Sequence, residues 1–301
     1  MTSKRILALG PSEGWHADQL RLAAHRQGYE LRYADYESLT ASFDAQGRHM
    51  ARCSAGDLRS YEAVLCRTMP TGSMEQVIFR LSVLHSLVAQ GHRLVNPPRT
   101  LETAIDKYAT LAIVSSLGIP VPQTIVAQSR SDAMRAFEAL GGDVVVKPIF
   151  GGEGRGVMRI RDPQLAWTAF STLQQLSAVC YVQRFVSPGG RDTRMLVLGD
   201  EVIGVRRTAD HDFRTNVAGG ASCEATSLTN DQVAMARRIA TAMNLQIGSI
   251  DVLDNDDGPP LVLEVNGVPG WKGAQSCLAL NIADKMIAAL LHNQHSLNGA
   301  A

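Results

Sequence analysis

The sequence predicts an α/β unit followed by a larger α+β portion, and three observations carry that expectation. Residues 1–97 alternate short apolar runs with helical patterns, as a parallel sheet with helical crossovers requires. From about residue 98 onward, apolar runs come in pairs joined by turn formers, which is the mark of antiparallel hairpins. The chain has 301 residues, 45% hydrophobic and 19% charged, enough for large cores of ordinary globular composition.

In the first part, RILALG (5–10) reads as a strand ended by Gly-Pro. WHADQLRLAAHRQG (15–28) is helical in spacing and stops at Gly28. YELRYAD and YEAVLCR (61–67) are the next strands, SMEQVIFRLSVLHSLVAQG (73–91) a helix, and RLVNPP (93–98) a strand closed by two prolines. RTLETAIDKYATLAIVSSLG (99–118) then predicts one helix. IPVPQTIVAQ is extended, and its prolines suit a sheet edge.

SDAMRAFEALGG and DPQLAWTAFSTLQQLS are helices flanking DVVVKPIFGGEGRGVMRI, a strand, glycine loop and strand. VCYVQRFV is another strand. DTRMLVLGDEVIGVRRTA predicts a hairpin turning at Gly199-Asp200. TNDQVAMARRIATAMN is a helix capped by Thr229 or Asn230. QIGSIDVLDNDDGPPLVLEVN is a second hairpin, and NIADKMIAALL the last helix. The final HNQHSLNGAA is expected to fray.

Several function classes fall away on composition. Lys plus Arg and Asp plus Glu both number 29, so no global charge draws nucleic acid or an acidic membrane, and an anion site must be built locally. The five cysteines are scattered without a C-x-x-C pair, which suits free thiols in a reducing compartment. The opening MTSKRILALGPSEGWH is broken by Gly10-Pro11 and reads as no signal peptide, and no apolar run reaches bilayer length. A cytoplasmic protein is expected.

The chemistry is concentrated in a few stretches. In LVLEVNGVPGWKG (261–273), Glu264 and Asn266 project from one face of a strand, and Asp251 lies on the strand before it across the hairpin. Two carboxylates and an amide oxygen form a hard donor set of the kind Mg2+ takes, or else are solvated strand ends. In KPIFGGEGRGV, Gly151, Gly152, Gly154 and Gly156 let backbone N–H groups fold over an anion, with Arg155 in the loop and Lys147 at its base. The stretch is neither a P-loop nor a dinucleotide fingerprint, because it joins strand to strand. Lys107 stands on a helix. Arg206, Arg207 and Arg214 are a basic group suited to phosphate or carboxylate oxygens, or a solvated patch. Arg67 ends a strand of the first unit, where open α/β sheets bind ligands. No H-x-x-x-H spacing and no G-x-S-x-G elbow appears, so no covalent nucleophile is expected.

Taken in order, NPP, the DK helix, VVVKP with its glycine hairpin, VQRFV, DFRTN followed by GG, and D…LEVN…PG resemble the ATP-grasp superfamily. Within it the chain is similar to RimK-type glutamate ligases over roughly residues 60–290. The resemblance implies an ATP-grasp fold with an N-terminal Rossmann-like (pre-ATP-grasp) domain: 1–97, a central lid domain 98–182, a C-terminal domain 183–295 with the Mg2+ site, and a tail 296–301. It implies ATP held by Lys107, Lys147, the glycine loop and the hinge residues Gln183, Arg184 and Phe185. It further implies Mg2+, or Mn2+ in its place, on Asp251, Glu264 and Asn266. Arg207, Arg214 and Asn216 match positions near the transferred phosphate, and Asp192 and Arg194 line the substrate side.

One departure is Arg184, which stands where RimK-type hinges carry Glu; adenine contact would then run on backbone groups. The activity implied is ATP-dependent carboxylate–amine ligation through an acyl phosphate, adding L-glutamate to a coenzyme of the tetrahydromethanopterin or methanofuran kind. Glutamylation of a protein or peptide C-terminus, an amino-acid ligase with another acceptor, and a non-catalytic nucleotide-binding scaffold are the alternatives. A scaffold would tend to lose Asp251, Glu264, Asn266 or Arg207, and all four are present. Trp271 either stacks on a flat acceptor or packs in the core. The family implies a homodimer or homotetramer.

Overall fold

The computed structural model describes residues 4–152, 154–209, 212–215 and 220–292. The first sheet is parallel, in the order β2-β1-β6-β7, built from β1 (Lys4–Leu9), β2 (Tyr29–Ala34), β6 (Val64–Cys66) and β7 (Leu94–Val95). Helix α1 (Trp15–Arg26) and helix α2 (Met74–Ala89) are its crossovers. The SMEQ start of α2 forms a capping box, Ser73 with Gln76. Between β2 and β6 the chain makes an antiparallel sheet of β3 (Thr40–Phe43), β4 (His49–Cys53) and β5 (Gly56–Asp57). Its strands are short and β3 is fully exposed, so hydrophobic periodicity gives no signal for it.

The helix expected over 99–118 is two helices, α3 (Pro98–Ile105) and α4 (Lys107–Ser116). Asp106 breaks the run by capping α4, accepting from Tyr108 N at 2.8 Å and Ala109 N at 3.0 Å. Both helices also sit elsewhere than the expected 98–182 unit implies. Val114 of α4 and Ile119 belong to the core beneath the C-terminal sheet, with Ile239, Met243, Ile250 and Val265. The reason is that α4 turns its apolar side to that sheet, leaving the central unit a separate core of its own.

That central unit is the antiparallel sheet β10-β9-β11-β8, with β8 (Thr124–Ala127), β9 (Val144–Lys147), β10 (Met158–Ile160) and β11 (Cys180–Arg184). The proline-flanked β8 is at its edge, as expected. Helices α5 (Arg130–Ala139) and α6 (Pro163–Gln175) close its core over Phe137, Phe170, Val144 and Val182.

The C-terminal sheet runs β14-β13-β12-β15-β16, all antiparallel: β12 (Arg191–Leu198), β13 (Glu201–Thr208), β14 (Ser222–Thr226), β15 (Ile247–Leu253) and β16 (Leu261–Asn266). The β12–β13 hairpin turns at Gly199, whose φ is +64°. Helix α7 (Asn230–Met243) has Thr229 as its cap, in a second capping box with Gln232. One face of the sheet packs Met195, Val197, Ile250, Val252, Val262 and Val265 against α4 and α7.

The other face is divided. At one end Leu196, Leu198, Val205 and Ile247 share a core with Ile6, Ala8 and Leu20 of the first unit and with helix α8 (Ile282–Leu291). At the other end it carries charged groups. Asn96, just after β7, locks this junction: it donates to the Gly267 carbonyl at 2.7 Å and accepts from Gln246 N at 2.9 Å and Ile247 N at 3.1 Å.

Candidate active site

The charged end of the face is a row of cross-strand partners. Asp192 pairs in register with Arg207, Arg194 with Asp251, and Asp251 with Glu264, so the ladder places all five side chains together. Asn266 is two residues beyond Glu264 and faces the same way, donating from Nδ2 to Glu264 Oε1 at 3.1 Å.

Arg194 grips Asp251 bidentately, Nε to Oδ1 at 2.8 Å and Nη2 to Oδ2 at 2.7 Å. Arg207 Nη2 reaches the same Oδ2 at 2.8 Å, and its Nε holds Asp192 Oδ1 at 2.7 Å. Thr215, which the sequence gives no reason to single out, donates its hydroxyl to Asp192 Oδ2. Burial alone would raise the Asp251 carboxyl, but Arg194 and Arg207 outweigh it and hold the group far below the usual carboxylate range. At Asp192 burial wins over Arg207, and the Asp251 charge adds to the rise. Burial would lower the Arg207 guanidinium, yet Asp251 and Asp192 keep it well above its ordinary value.

The basic group read from the sequence is divided by strand alternation. Arg206 points away from Arg207 and pairs with Asp254, Nη1 to Oδ1 at 2.7 Å. Arg214 is exposed and pairs with its neighbour Asp212, Nε to Oδ2 at 2.8 Å. Asn216 lies outside the described residues.

A second group assembles from the central sheet. Lys147, at the end of β9, is buried and donates to Gln183 Oε1 at 2.7 Å. Gln183 is fixed in turn by Thr124 Oγ1 at 2.9 Å. Burial lowers Lys147 to about 8; Glu264 opposes that shift and Lys107 adds to it. Lys107, the first residue of α4, reaches Gly151 O at 2.7 Å, tying the helix to the glycine loop. Its own pKa is lowered by burial, against Glu264 and Asp106. Gly151, Gly154 and Gly156 have φ of +111°, +69° and +71°, which only glycine adopts freely. A Cβ at Gly156 would also lie 2.9 Å from Pro148 Cγ, so the loop folds closely over the proline behind Lys147. Gly152 and Arg155 are exposed in the same loop, with Arg155 N bonded to Gly152 O at 3.3 Å.

Arg184 N donates to Gln123 O at 2.9 Å and Phe185 N to Asp143 O at 3.0 Å, because β11 continues its pairing to its last residue. Both N–H groups are therefore used within the protein. The Phe185 ring is covered by the Arg159 guanidinium, 3.2 Å from its centroid, while the Arg184 side chain is exposed.

Trp271 is 1% exposed, so of the two readings open to it packing is the one realised. Its ring lies 4.4 Å from His16 and under the Arg67 guanidinium at 4.9 Å, with no face left for an acceptor to stack on.

The donor set suits a hard cation in kind. Asn266 Oδ1 and Glu264 Oε2 remain after their mutual bond, and Asp251 stands opposite with most of its capacity taken by arginine. Ser249 Oγ, across the ladder from Asn266, is buried without a partner among the described residues. Among the described residues no group of three or more His, Cys, Asp or Glu gathers, so any metal here would rest on few protein ligands.

Lys107 tied to the glycine loop, Lys147 near it, the Glu264–Asn266 pair and the arginine-held carboxylates fit an ATP-dependent ligase, and comparison with known proteins bears out that class. A RimK-like ATP-grasp domain model matches residues 104–290, and the chain belongs to that family. It is 28% identical to the tetrahydromethanopterin:alpha-L-glutamate ligase of Methanosarcina acetivorans, over 94% of this chain and 97% of that one. It is 31% identical to a probable alpha-L-glutamate ligase of Sodalis glossinidius, over 89% of this chain and 90% of that one. The ATP-grasp ligase PsnB, solved with a minimal precursor, superposes with a TM-score of 0.76 at 21% identity, over 96% and 99% of the two chains. The protein is thus an ADP-forming carbon–nitrogen ligase of the ATP-grasp type. Among the described residues no helix is long and apolar enough to cross a membrane.

Proposed function

We propose that the protein joins the amine of L-glutamate to a carboxylate of a small coenzyme acceptor of the tetrahydromethanopterin or methanofuran kind, with ATP as the energy source. The observation that carries this reading is the cross-strand row Asp192–Arg207 and Arg194–Asp251–Glu264, with Glu264 near enough to Lys147 and Lys107 for its charge to act on both. It sets phosphate-binding cations beside a cation-and-carboxylate surface with no nucleophilic side chain needed. The near full-length match to the Methanosarcina acetivorans ligase supports this acceptor class.

In this reading Lys107, Lys147 and the loop glycines hold the nucleotide phosphates, and Val186 onward carries the remaining hinge backbone for adenine. Glu264 and Asn266, with Asp251, would hold Mg2+ or Mn2+, which when bound would neutralise charge on phosphate oxygens. The acceptor carboxylate attacks the γ-phosphorus, ADP leaves, and an acyl phosphate forms. The glutamate amine then attacks the acyl carbon and phosphate departs. Arg207 and Arg194, with Arg214 and Asn216 as candidates from the adjoining segment, stabilise the charge that develops on the transferred group. Closure of the glycine loop excludes water from the acyl phosphate.

A peptide C-terminus is the second acceptor to test, favoured by the fold shared with the ATP-grasp ligase PsnB solved with a precursor peptide. The experiment is phosphate release with Mg2+, ATP and L-glutamate, with and without coenzyme acceptors and peptides ending in glutamate, read together with product mass. Release that depends on a coenzyme, with the mass of one added glutamate residue, is expected. Release with peptides only would replace the acceptor class, and release with none would remove this reading.

A further inference from the structure

Arg194, Arg206 and Arg207 each hold a carboxylate, whereas Arg67 does not. It stands at the carboxyl end of β6, half-buried, and among the described residues it makes no ion pair. Its side-chain hydrogen bond is a single 3.3 Å contact from Nη2 to the Pro269 carbonyl, and its guanidinium lies over the Trp271 ring. Two more basic groups approach it. The His16 ring is 4.4 Å from Trp271, Lys272 is the residue directly after Trp271, and burial first, then Arg67 and Lys272, lower the His16 pKa. Trp271 N donates to His16 Nε2 at 3.3 Å, so that ring nitrogen is the acceptor and Nδ1 carries the proton. The Trp271 indole N–H is itself buried without a partner.

The cluster is held in place. A Cβ at Gly10 would fall 2.9 Å from the Arg67 Cβ, so only glycine lets the β1 end approach this closely. The Gly270 carbonyl, one residue from Trp271, accepts from Arg194 Nη1 at 3.5 Å. The cluster therefore adjoins the Arg194–Asp251 pair on the side of the first sheet, at the carboxyl ends of its parallel strands, where such sheets bind ligands.

We propose that Arg67, His16 and Lys272 form a carboxylate-binding subsite for the unreacting acidic group of a ligation substrate. The inference rests on the ligase reading above and extends it to the substrate side. A guanidinium with no acid partner and no bond from Nε or Nη1 among the described residues matches a carboxylate bidentately. Burial lowers that guanidinium to about 10, and binding an anion would relieve the cost. The carboxylate has two sources, free L-glutamate or the glutamyl end of an acceptor.

The test is calorimetric titration of the full chain, loaded with a non-hydrolysable ATP analogue, using L-glutamate and separately the dipeptide Glu-Glu. Arg67→Gln and Lys272→Gln are compared with the wild type, and Arg67→Lys serves as partial rescue. Expected is a loss of affinity of at least tenfold for one ligand in Arg67→Gln, with a smaller loss in Lys272→Gln and unchanged affinity for the ATP analogue. The ligand affected identifies the source. Binding of both ligands within twofold of wild type in both variants overturns the subsite, and so does a wild type that binds neither. Product formation run in parallel separates the two readings. Arg67-dependent binding without any glutamylated product keeps the subsite and removes the ligase acceptor assignment. Ligation with unchanged KM values in both variants does the reverse.

Discussion

Glu264 lies directly across the antiparallel ladder from Asp251, yet only Asp251 is clasped by arginines. Two acids in one register thus have different environments, and substitution separates them. Asp251→Ala leaves Arg194 and Arg207 short of a buried partner, a loss of about 3–5 kcal/mol. Glu264→Ala removes a half-buried group that, among the described residues, bonds only to Asn266, and is expected to change stability by less than about 1 kcal/mol. Its ligation rate should nevertheless fall by about a hundredfold or more. Urea denaturation and phosphate release measure the two effects, and full turnover in Glu264→Ala would remove the metal assignment.

Lys147 gives a pH dependence whose sign is fixed. Its folded pKa of about 8 lies below the ordinary 10.5 because it is buried. Between those values the unfolded chain holds a proton that the folded chain lacks, so its contribution to stability rises with pH through that window. Lys147→Met should flatten the rise in Tm over the same range. Nucleotide phosphates would restore the charge, so ATP binding just above pH 8 should take up a proton and weaken as pH climbs. Calorimetry in two buffers of different ionisation heat reads the uptake; none detected would make Lys147 structural.

Asp106 links helix capping to Lys107 and the glycine loop. Asp106→Ala removes two bonds to the first turn of α4 and should cost about 1 kcal/mol. It also loosens Lys107, which reaches the glycine loop from the next position, so KM for ATP should rise several-fold. A variant destabilised as expected but with wild-type KM would show that the loop does not need the helix start.

Much of this was legible beforehand for a local reason. Strand alternation put Glu264 and Asn266 on one face, the glycine run announced a loop that only glycine adopts, and Thr229 stood out as a helix cap. The misses had reasons too. Asp106 looks like an ordinary helical residue until its carboxylate caps the next turn, and the exposed β3 has no apolar alternation to read. Thr215 and His16 carry no spacing signal, since their partners Asp192 and Trp271 lie 23 and 255 residues away.

The sequence by itself determined the kind of chemistry, because ligand type, glycine content and side-chain period are properties of short stretches. Which charges meet was decided only by the tertiary structure. Register joined Arg207 to Asp192 and Asp251 and turned Arg206 to the opposite face. Packing of the first sheet against the C-terminal one buried Trp271 and left Arg67 over it with no acid partner among the described residues. Electrostatic energy depends on distance and burial, and folding sets both between residues far apart in the chain.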